Sequence, residues 1–260
     1  MIIFTPIRKL IDFLVTSILW IYYVLGFVLI FTPYVAWLYL TGKTDEFAFQ
    51  ALFHRFYAIF FRLCLVLIPG LDIRVDPKLS SVRSSIIVCN HQSYLDPLLF
   101  ISTFKRHKTI VNNTYFLVPF FGWFMKKNGY IPSSANGKYM ALVVKHLSEM
   151  KNYLDSGGNL FVFPEGTRSR DGQLNEFNKG AFSIADQSRA PVVVAYIKNT
   201  SRLFKPGTGL FNTCRRNTIE LGHLGEISPD DPKFVNAPEK KAEEAKRIID
   251  AYLNSSDSDK

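Results

Sequence analysis

The feature that most constrains this chain is an apolar run near its N-terminus. No charged side chain occurs between residues 13 and 42. At about 1.5 Å per residue, a continuous helix of that length would exceed the ~30 Å hydrocarbon core of a bilayer. Pro33 is expected to break or kink this helix near Thr32. A signal peptide is a poor alternative, because the run is too long, contains Trp and Tyr, and is not followed by a small-residue cleavage site.

A second segment, 44–68, predicts an amphipathic helix with a broad apolar face. Its remaining arc is polar or charged and consists of Gln50, His54, Arg55 and Arg62. A lipid-exposed arginine near the bilayer centre costs at least ~2.5–3.5 kcal/mol on insertion scales. We therefore expect this helix to lie in the membrane interface, so that residues 1–70 form a two-helix membrane anchor. The alternative is a buried helix hairpin in a soluble core.

The rest of the chain, 71–253, alternates strand-like and helix-like segments. Apolar or alternating runs predict strands at 71–75, 85–89, 109–111, 159–163, 191–197 and 219–224. Helical spacing predicts helices at 138–154, 177–187 and 237–253. This alternation predicts an α/β fold, in which a mostly parallel central sheet is flanked by helices. Residues 254–260 are polar and predict a disordered tail.

Charge and cysteine content exclude several classes of protein. The chain has 31 Lys and Arg against 22 Asp and Glu, which favours anionic partners such as lipids or phosphorylated substrates. Because the cations are spread along the chain, we expect no nucleic acid partner. Three scattered cysteines and five dispersed histidines predict neither a disulfide framework nor a metal site. Neither a G-x-S-x-G nucleophile turn nor a G-x-x-x-x-G-K-[ST] phosphate loop occurs.

The first motif with chemical potential contains His91 and Asp96, just after the predicted strand 85–89. Loops at the carboxyl ends of parallel strands are where α/β proteins bind ligands. With His91 on the turn before a helix, the Asp96 carboxylate can fold back onto the ring and leave its other nitrogen free to accept a proton. Alternatively, Asp96 before Pro97 is a helix N-cap and His91 an ordinary turn residue. The spacing leaves both interpretations open.

The second motif follows the predicted strand 159–163 and reads Phe163-Pro164-Glu165-Gly166-Thr167-Arg168. Gly166 permits close backbone approach, Thr167 offers a hydroxyl group, and Arg168 offers a planar fork suited to phosphate. Lys179 adds a second cation. The alternative is a surface turn with solvated charges, in which Asp171-Gly172 is the turn pair.

Together, His-x-x-x-x-Asp at 91–96 and Pro-Glu-Gly-Thr-Arg at 164–168 resemble the motifs of the glycerolipid acyltransferase family. The pattern is most similar to that of the 1-acyl-glycerol-3-phosphate (lysophosphatidate) acyltransferases and extends over residues 71–225. Two further stretches resemble family segments, namely Pro119-Phe120-Phe121-Gly122-Trp123 and Ala190-Pro191-Val192-Val193-Val194. The apolar N-terminal pair resembles the two-helix membrane anchor of the family.

The resemblance implies an enzyme of acyl transfer. It assigns His91, oriented by Asp96, as the base that deprotonates the free hydroxyl of a lysolipid. That hydroxyl would attack the thioester of acyl-CoA or acyl carrier protein directly, giving phosphatidic acid when the acceptor is lysophosphatidate. The residues assigned to the acceptor's glycerol phosphate are Asn90, Glu165, Gly166, Thr167, Arg168 and Lys179. No metal and no tightly bound cofactor are expected, and the partners are membrane lipid, the lysolipid and the acyl donor.

The resemblance also places the catalytic domain on the cytoplasmic face of a membrane, where the thioester donor is found. An anchor bent back at Pro33 would keep both of its ends on that face. An apolar channel for the acyl chain is expected near the membrane, with ordinary core packing as the alternative for each of its candidates, Phe116, Phe120, Phe121, Trp123 and Phe124.

Two departures from the family pattern concern the acceptor. The stretch 129–134 lacks the arginine that is frequent in the family, and Asn112 or Asn113 stands where a lysine is frequent. Another lysophospholipid or lyso-lipid is therefore an alternative acceptor. A non-catalytic membrane lipid-binding protein of the same fold is the alternative from a different functional class.

Overall fold

The structure of this chain is a computed structural model that describes residues 5–169 and 173–257. Its α-helices are α1 (Thr5–Gly26), α2 (Thr32–Leu40), α3 (Glu46–Leu67), α4 (Pro77–Ser80), α5 (Leu95–Thr103), α6 (Phe121–Lys127), α7 (Met140–Ser148), α8 (Met150–Asp155), α9 (Gly180–Ser188), α10 (Thr200–Leu203) and α11 (Pro238–Asp257). A π turn covers Phe27–Phe31, and 3-10 turns cover Asn113–Leu117 and Gly137–Tyr139. The predicted turn pair Asp171-Gly172 lies outside the described residues.

The strands form one seven-stranded sheet. They are β1 (Leu71–Val75), β2 (Ile86–Cys89), β3 (His107–Val111), β4 (Ile131–Pro132), β5 (Asn159–Val162), β6 (Val192–Lys198) and β7 (Asn217–Ile227). The order across the sheet is β1-β7-β6-β2-β5-β3-β4. Parallel pairing joins β2 to β5 and β6, and β3 to β5 and β4. The predicted α/β fold with a mostly parallel sheet is confirmed; β4, which the sequence did not reveal, contains Pro132 and lies at the sheet edge, where proline is tolerated.

Residues 5–40 form a continuous helical segment, so the predicted break at Pro33 is wrong. Gly26, Phe31 and Thr32, which flank the joins between α1, the π turn and α2, all keep right-handed helical dihedrals. Pro33 lies in the first turn of α2, directly after the π turn. A proline inside an α-helix clashes with the carbonyl four residues before it. The wider spacing of the π turn accommodates the ring, and the chain turns only after Leu40.

The chain separates into two compact units that do not follow the predicted boundary at residue 70. The first unit comprises residues up to 75 together with 92–105 and 197–220. The second unit comprises 76–91, 106–196 and the chain from 221 onward. The N-terminal helices therefore share a compact unit with later segments of the chain, whereas the sequence predicted a separate anchor.

In the first unit, α1 packs against α3 and against the segment after α10. The Tyr22 hydroxyl donates to the Phe56 carbonyl at 2.8 Å, and the two rings stack with centroids 4.9 Å apart. Asp12 Oδ1 accepts the Thr213 amide at 2.7 Å. Since Asp12 directly precedes the apolar run, this bond holds the start of the run to a late part of the chain.

The two long N-terminal helical segments differ in burial. Thr5–Leu40 and Glu46–Leu67 are both long and apolar enough to cross a membrane. Most of α3's apolar face is core: it buries Phe49, Leu52, Phe53, Phe56, Tyr57, Phe60, Phe61 and Cys64. Its arginines, Arg55 and Arg62, are exposed. The alternative of a buried helix hairpin therefore holds for one face of α3. It does not hold for α1 and α2, which leave most of their apolar surface exposed.

In the second unit, the strands of the sheet centre are buried along their length. All four residues of β2 and of β5 are buried, as expected for parallel strands covered on both faces. Helix α11 continues to Asp257, so the predicted tail is wrong for residues 254–257. Extending an existing helix costs little even for polar residues, because the nucleus is already formed. The last three residues of the predicted tail lie outside the described residues.

Candidate active site

Both chemical motifs begin at the carboxyl ends of neighbouring parallel strands. In the sheet, Ile87 of β2 pairs with Phe161 of β5, and Val88 pairs with Val162. Because the two strands run in the same direction, the loop that begins after Cys89 and the loop that begins after Val162 leave the same edge of the sheet. The register thus brings together His91 and the Pro-Glu-Gly-Thr-Arg segment, which lie more than seventy residues apart in the sequence.

The main chain of His91 is held on both sides by this second loop. Its amide donates to Glu165 Oε1 at 2.8 Å, and its carbonyl accepts the Ser169 amide at 2.9 Å. The imidazole ring stacks on Phe163, with centroids 4.2 Å apart and planes inclined by 19°. Both the peptide and the ring of this half-buried histidine therefore take their position from the loop after β5.

Glu165 is buried and uses both carboxylate oxygens inside the protein. Oε1 accepts the His91 amide, while Oε2 accepts the amide of Asn175 at 3.0 Å and its side-chain Nδ2 at 3.1 Å. Burial raises the pKa of Glu165 above its ordinary value, and these hydrogen bonds oppose that rise. The Glu165 carboxylate thus joins the beginning of its own loop both to Asn175, further along that loop, and to the turn that contains His91.

The residues that follow Glu165 form the accessible part of the loop. Gly166 and Thr167 are exposed, and Arg168 is half-buried. Gly166 has a φ of +69°, a conformation that favours glycine, and a Cβ there would lie 3.3 Å from the Asn178 side chain. Asn178 in turn donates its amide and its Nδ2 to the Pro164 carbonyl, at 2.8 and 3.0 Å.

Asp96 belongs to the first unit, where it fixes the turn that leads into α5. It is fully buried, and its Oδ2 accepts the amides of Gln92 at 2.6 Å and Ser93 at 2.8 Å. The N-cap of α5 is Tyr94, so Asp96 lies inside the first helical turn and the N-cap alternative is wrong. The pairing of its carboxylate with the His91 ring stays a prediction.

The remaining two predicted binding residues have partners within their own unit. Lys179 Nζ donates to Glu239 Oε1 at 2.8 Å, and that bond raises the pKa of this exposed lysine. Asn90 is buried, and its Oδ1 lies 3.5 Å from Cys89 Sγ. Of the six residues assigned to the acceptor, Gly166, Thr167 and Lys179 are thus exposed, Arg168 is half-buried, and Asn90 and Glu165 are buried. Within the part of the chain that the structure describes, no three His, Cys, Asp or Glu side chains are grouped to hold a metal ion.

Comparison with known proteins identifies the segment that contains both motifs. The family model described as Acyltransferase matches residues 73–198. The match covers 126 of the 260 residues, and we call this segment the acyltransferase domain after the family model that it matches. The resemblance found in the sequence is thereby confirmed, and the domain contains both motifs and the strands that position them.

Two proteins that are similar to this chain over about half of its length are named as acyltransferases of the same kind. A chloroplastic 1-acyl-sn-glycerol-3-phosphate acyltransferase of Arabidopsis thaliana is 35% identical over 135 residues, which cover 51% of this chain and 37% of that protein. A 1-acyl-sn-glycerol-3-phosphate acyltransferase of Saccharomyces cerevisiae is 35% identical over 152 residues, covering 56% of this chain and 49% of that protein. The chain therefore aligns with less than half of the length of either relative.

The crystal structure of the 1-acyl-sn-glycerophosphate (LPA) acyltransferase PlsC from Thermotoga maritima has the same fold. It superposes with a TM-score of 0.70 and covers 96% of this chain and 98% of its own, at 22% sequence identity. The likeness extends over nearly the whole chain, so the N-terminal helices as well as the acyltransferase domain follow a known architecture.

Sequence reasoning missed three residues that position the histidine of this acyltransferase domain. Phe163 contacts the His91 ring, Ser169 holds its carbonyl, and Asn175 holds Glu165. A buried carboxylate requires hydrogen-bond donors, so Glu165 signalled that partners exist. Nothing in the polar stretch 173–178 indicated which residue they would come from.

Proposed function

We propose that this protein moves a fatty acyl group from acyl-CoA or acyl carrier protein to the free hydroxyl of 1-acyl-glycerol-3-phosphate, giving phosphatidic acid. The single observation that carries the proposal is the attachment of His91 to the Pro-Glu-Gly-Thr-Arg loop through Glu165 and Ser169. A basic group that can accept a proton and an arginine that can bind phosphate are thus built on one rigid frame. The names of the relatives support the same reaction.

In the proposed reaction, His91 acts as the general base and Asp96 as the group that orients it. An imidazole nitrogen takes the proton of the acceptor hydroxyl, and the oxygen forms a bond to the thioester carbonyl carbon. The tetrahedral intermediate collapses, the carbon–sulfur bond breaks, and the thiolate takes the proton from the imidazolium. No acyl-enzyme forms and no cofactor is used; the thioester is a co-substrate.

The acceptor phosphate is assigned to the accessible part of the loop. Arg168 offers two parallel N–H donors to phosphate oxygens, and Gly166 lets the main chain approach them. Thr167 adds a hydroxyl donor. Glu165, by contrast, acts on the histidine turn in this proposal, because its oxygens accept hydrogen bonds from His91 and Asn175.

Another lysophospholipid is the second candidate acceptor, and the contacts of Asn113 favour it. Asn113 Nδ2 donates to the Ser134 hydroxyl at 2.9 Å, and its Oδ1 accepts the Ser134 amide at 3.2 Å. Asn113 is one of the two positions that can correspond to the frequent lysine of the family, and Ser134 lies in the stretch 129–134 that lacks its arginine. Here they connect two loops to each other, so fewer positive charges are available for a small, doubly charged headgroup.

We place the enzyme at a membrane, with its acyltransferase domain on the cytoplasmic face. Two helical segments long and apolar enough to span a bilayer support the membrane part of this proposal. The apolar acceptor and product also require a lipid phase nearby. The side of the membrane follows from the location of the thioester donor.

The proposed function is tested with the purified full chain, a panel of lysolipids, and both thioester donors. We expect lysophosphatidate to be acylated, and His91→Ala to lower kcat by about 10²–10⁴-fold while the thermal unfolding temperature stays unchanged. Arg168→Ala should raise KM for the lysolipid more than KM for the donor. Equal turnover by wild type and His91→Ala would remove this base from the mechanism, and binding of lysolipid without turnover would favour a non-catalytic lipid-binding protein.

A further inference from the structure

A short segment of the second unit presents large apolar side chains to solvent. We define the Phe120 ridge as Leu117, Val118, Phe120 and Trp123. It extends from the last residue of the 3-10 turn at Asn113–Leu117 into helix α6. The exposed fractions of the four side chains are 58%, 47%, 80% and 38%, respectively. Exposed apolar side chains are ordinary when scattered singly, but a cluster of this kind marks an interaction site.

The Phe120 ridge is rigid rather than a loose loop. The Gly122 amide donates to the Val118 carbonyl at 2.8 Å, and the Phe124 amide donates to the Phe120 carbonyl at 3.0 Å. A Cβ at position 122 would lie 2.2 Å from the Phe116 carbonyl oxygen, so only glycine fits there. Phe116 and Phe124 are buried beneath the ridge. They belong to the core, which is the alternative that the sequence left open for the predicted acyl channel.

Phe120 occupies a conformation that a bulky residue seldom adopts. Its φ is +60° and its ψ is −52°, and its side chain is 80% exposed. Strain of this kind persists where the surroundings impose it, and it clusters at functional positions. Here the strained residue presents the most exposed side chain of the ridge to solvent.

The stretch of sequence that contains the ridge has formal charges of one sign. Between residues 106 and 148 the sequence contains no Asp or Glu and six basic residues, namely Arg106, Lys108, Lys126, Lys127, Lys138 and Lys145. Lys127 Nζ lies 5.6 Å from the Trp123 ring centroid, and Lys126 beside it is exposed. Helix α7 adds two exposed apolar residues on one face, Met140 and Val144.

We propose that the Phe120 ridge inserts into the surface of an anionic lipid bilayer, as a membrane contact of the second unit in addition to the N-terminal helices. Protruding apolar and aromatic side chains with lysines beside them suit the boundary between headgroups and acyl chains. Each lysine near an anionic leaflet adds electrostatic attraction. Protein–protein anchors, in contrast, usually fill pockets. A side chain as exposed as Phe120 suits insertion among lipids better.

The ridge contains its own spectroscopic probe. Trp123 is the third tryptophan of the chain, after Trp20 and Trp37, so the full-length double variant W20F/W37F reports on position 123 alone. We expect its emission to shift to the blue and to fall about twofold in vesicles of anionic lipid brominated near the glycerol end of the acyl chains. Sedimentation of the same vesicles verifies that the protein is bound.

A matched control moves the probe to another exposed apolar position of the same unit. Val235 is 49% exposed and lies just before α11. In the W20F/W37F/W123F background, Val235→Trp should show little quenching. K126S/K127S should weaken the quenching of Trp123 in anionic vesicles, while K240S on α11 should not.

Three results would overturn the proposal. One is unquenched Trp123 emission in vesicles that sediment with the protein. A second is an emission change only when an acidic acyl carrier protein is added in detergent, which would make the ridge a protein-docking surface. Equal quenching at positions 123 and 235 would also contradict it, because membrane contact would then not be specific to the ridge.

Discussion

Two buried carboxylates, Asp96 and Glu165, fix the main chain of three consecutive residues, but they do so from different distances in the sequence. Asp96 accepts the amides of Gln92 and Ser93 from within the next helical turn. Glu165 accepts the amide of His91 from the loop after β5, across 74 positions of sequence. The amide of residue 91 therefore donates to a carboxylate from the loop after β5, and the amides of residues 92 and 93 both donate to one local carboxylate.

The difference shows how the histidine turn is made rigid. A local carboxylate sets the direction in which the chain enters α5, but it leaves the turn free to move as a piece. A carboxylate from the neighbouring loop holds the turn to the residues that we assign to the acceptor phosphate. The Glu165 connection, together with the Ser169 amide and the Phe163 ring, therefore sets the distance between the proposed base and the proposed phosphate site.

The largest expected effect is that of Asp96→Asn. The amide oxygen of Asn can still accept the Gln92 and Ser93 amides, so the turn is retained while the negative charge is lost. If Asp96 also orients His91, kcat falls by roughly 10³–10⁴-fold, as for the loss of the orienting carboxylate in other histidine-based sites. Steady-state kinetics with thermal unfolding as the control makes this measurement. If kcat instead falls only a few-fold, Asp96 supports the main chain of the turn without orienting the His91 ring. Its role would then be the same as that of Glu165.

A smaller effect is expected for Glu165→Gln. Three N–H donors face the two oxygens of Glu165, so the NH₂ group of Gln must face at least one donor. A buried donor left unpaired costs about 1–3 kcal/mol, and we expect kcat to fall about tenfold with KM for both substrates nearly unchanged. A large rise in KM for the lysolipid would instead show that Glu165 binds the acceptor, as the family resemblance implied.

The same contrast between local and remote contacts separates what the sequence could predict from what it could not. The strands follow from short apolar runs, and the His91–Asp96 motif is read from a spacing of five residues. The Glu165–His91 bond depends on the register of β2 against β5, which no local pattern specifies. The Glu165–Asn175 bonds depend on how the loop after β5 folds back on itself. The error at Pro33 has a local origin instead, because the rule for proline assumes α-helical spacing and the preceding π turn changes it.

Two asparagines on the same loop allow the remote connection to be tested on its own. Asn175 donates its amide and Nδ2 to Glu165, and Asn178 donates its amide and Nδ2 to the Pro164 carbonyl. Asn175→Ala and Asn178→Ala each remove one side-chain donor, and each should cost about 1 kcal/mol of unfolding free energy. Only Asn175→Ala should lower kcat, by about two- to five-fold. Equal losses of kcat would mean that general loop stability, and not the Glu165 carboxylate, controls the histidine.

The smallest expected effect is a pH dependence of stability that Glu165 contributes. Because burial raises its pKa above the ordinary 4.5, the folded protein binds this proton more readily than the unfolded chain does. The resulting stabilisation is complete below pH 4.5 and is lost as the pH rises through the raised pKa. Glu165→Gln does not titrate, so the loss of unfolding free energy caused by this substitution should be larger at pH 4 than at pH 7. Urea unfolding of both proteins in the same detergent measures the difference. A loss that instead grows with pH would mean that the hydrogen bonds from His91 and Asn175 outweigh burial and that the carboxylate is held in its charged form.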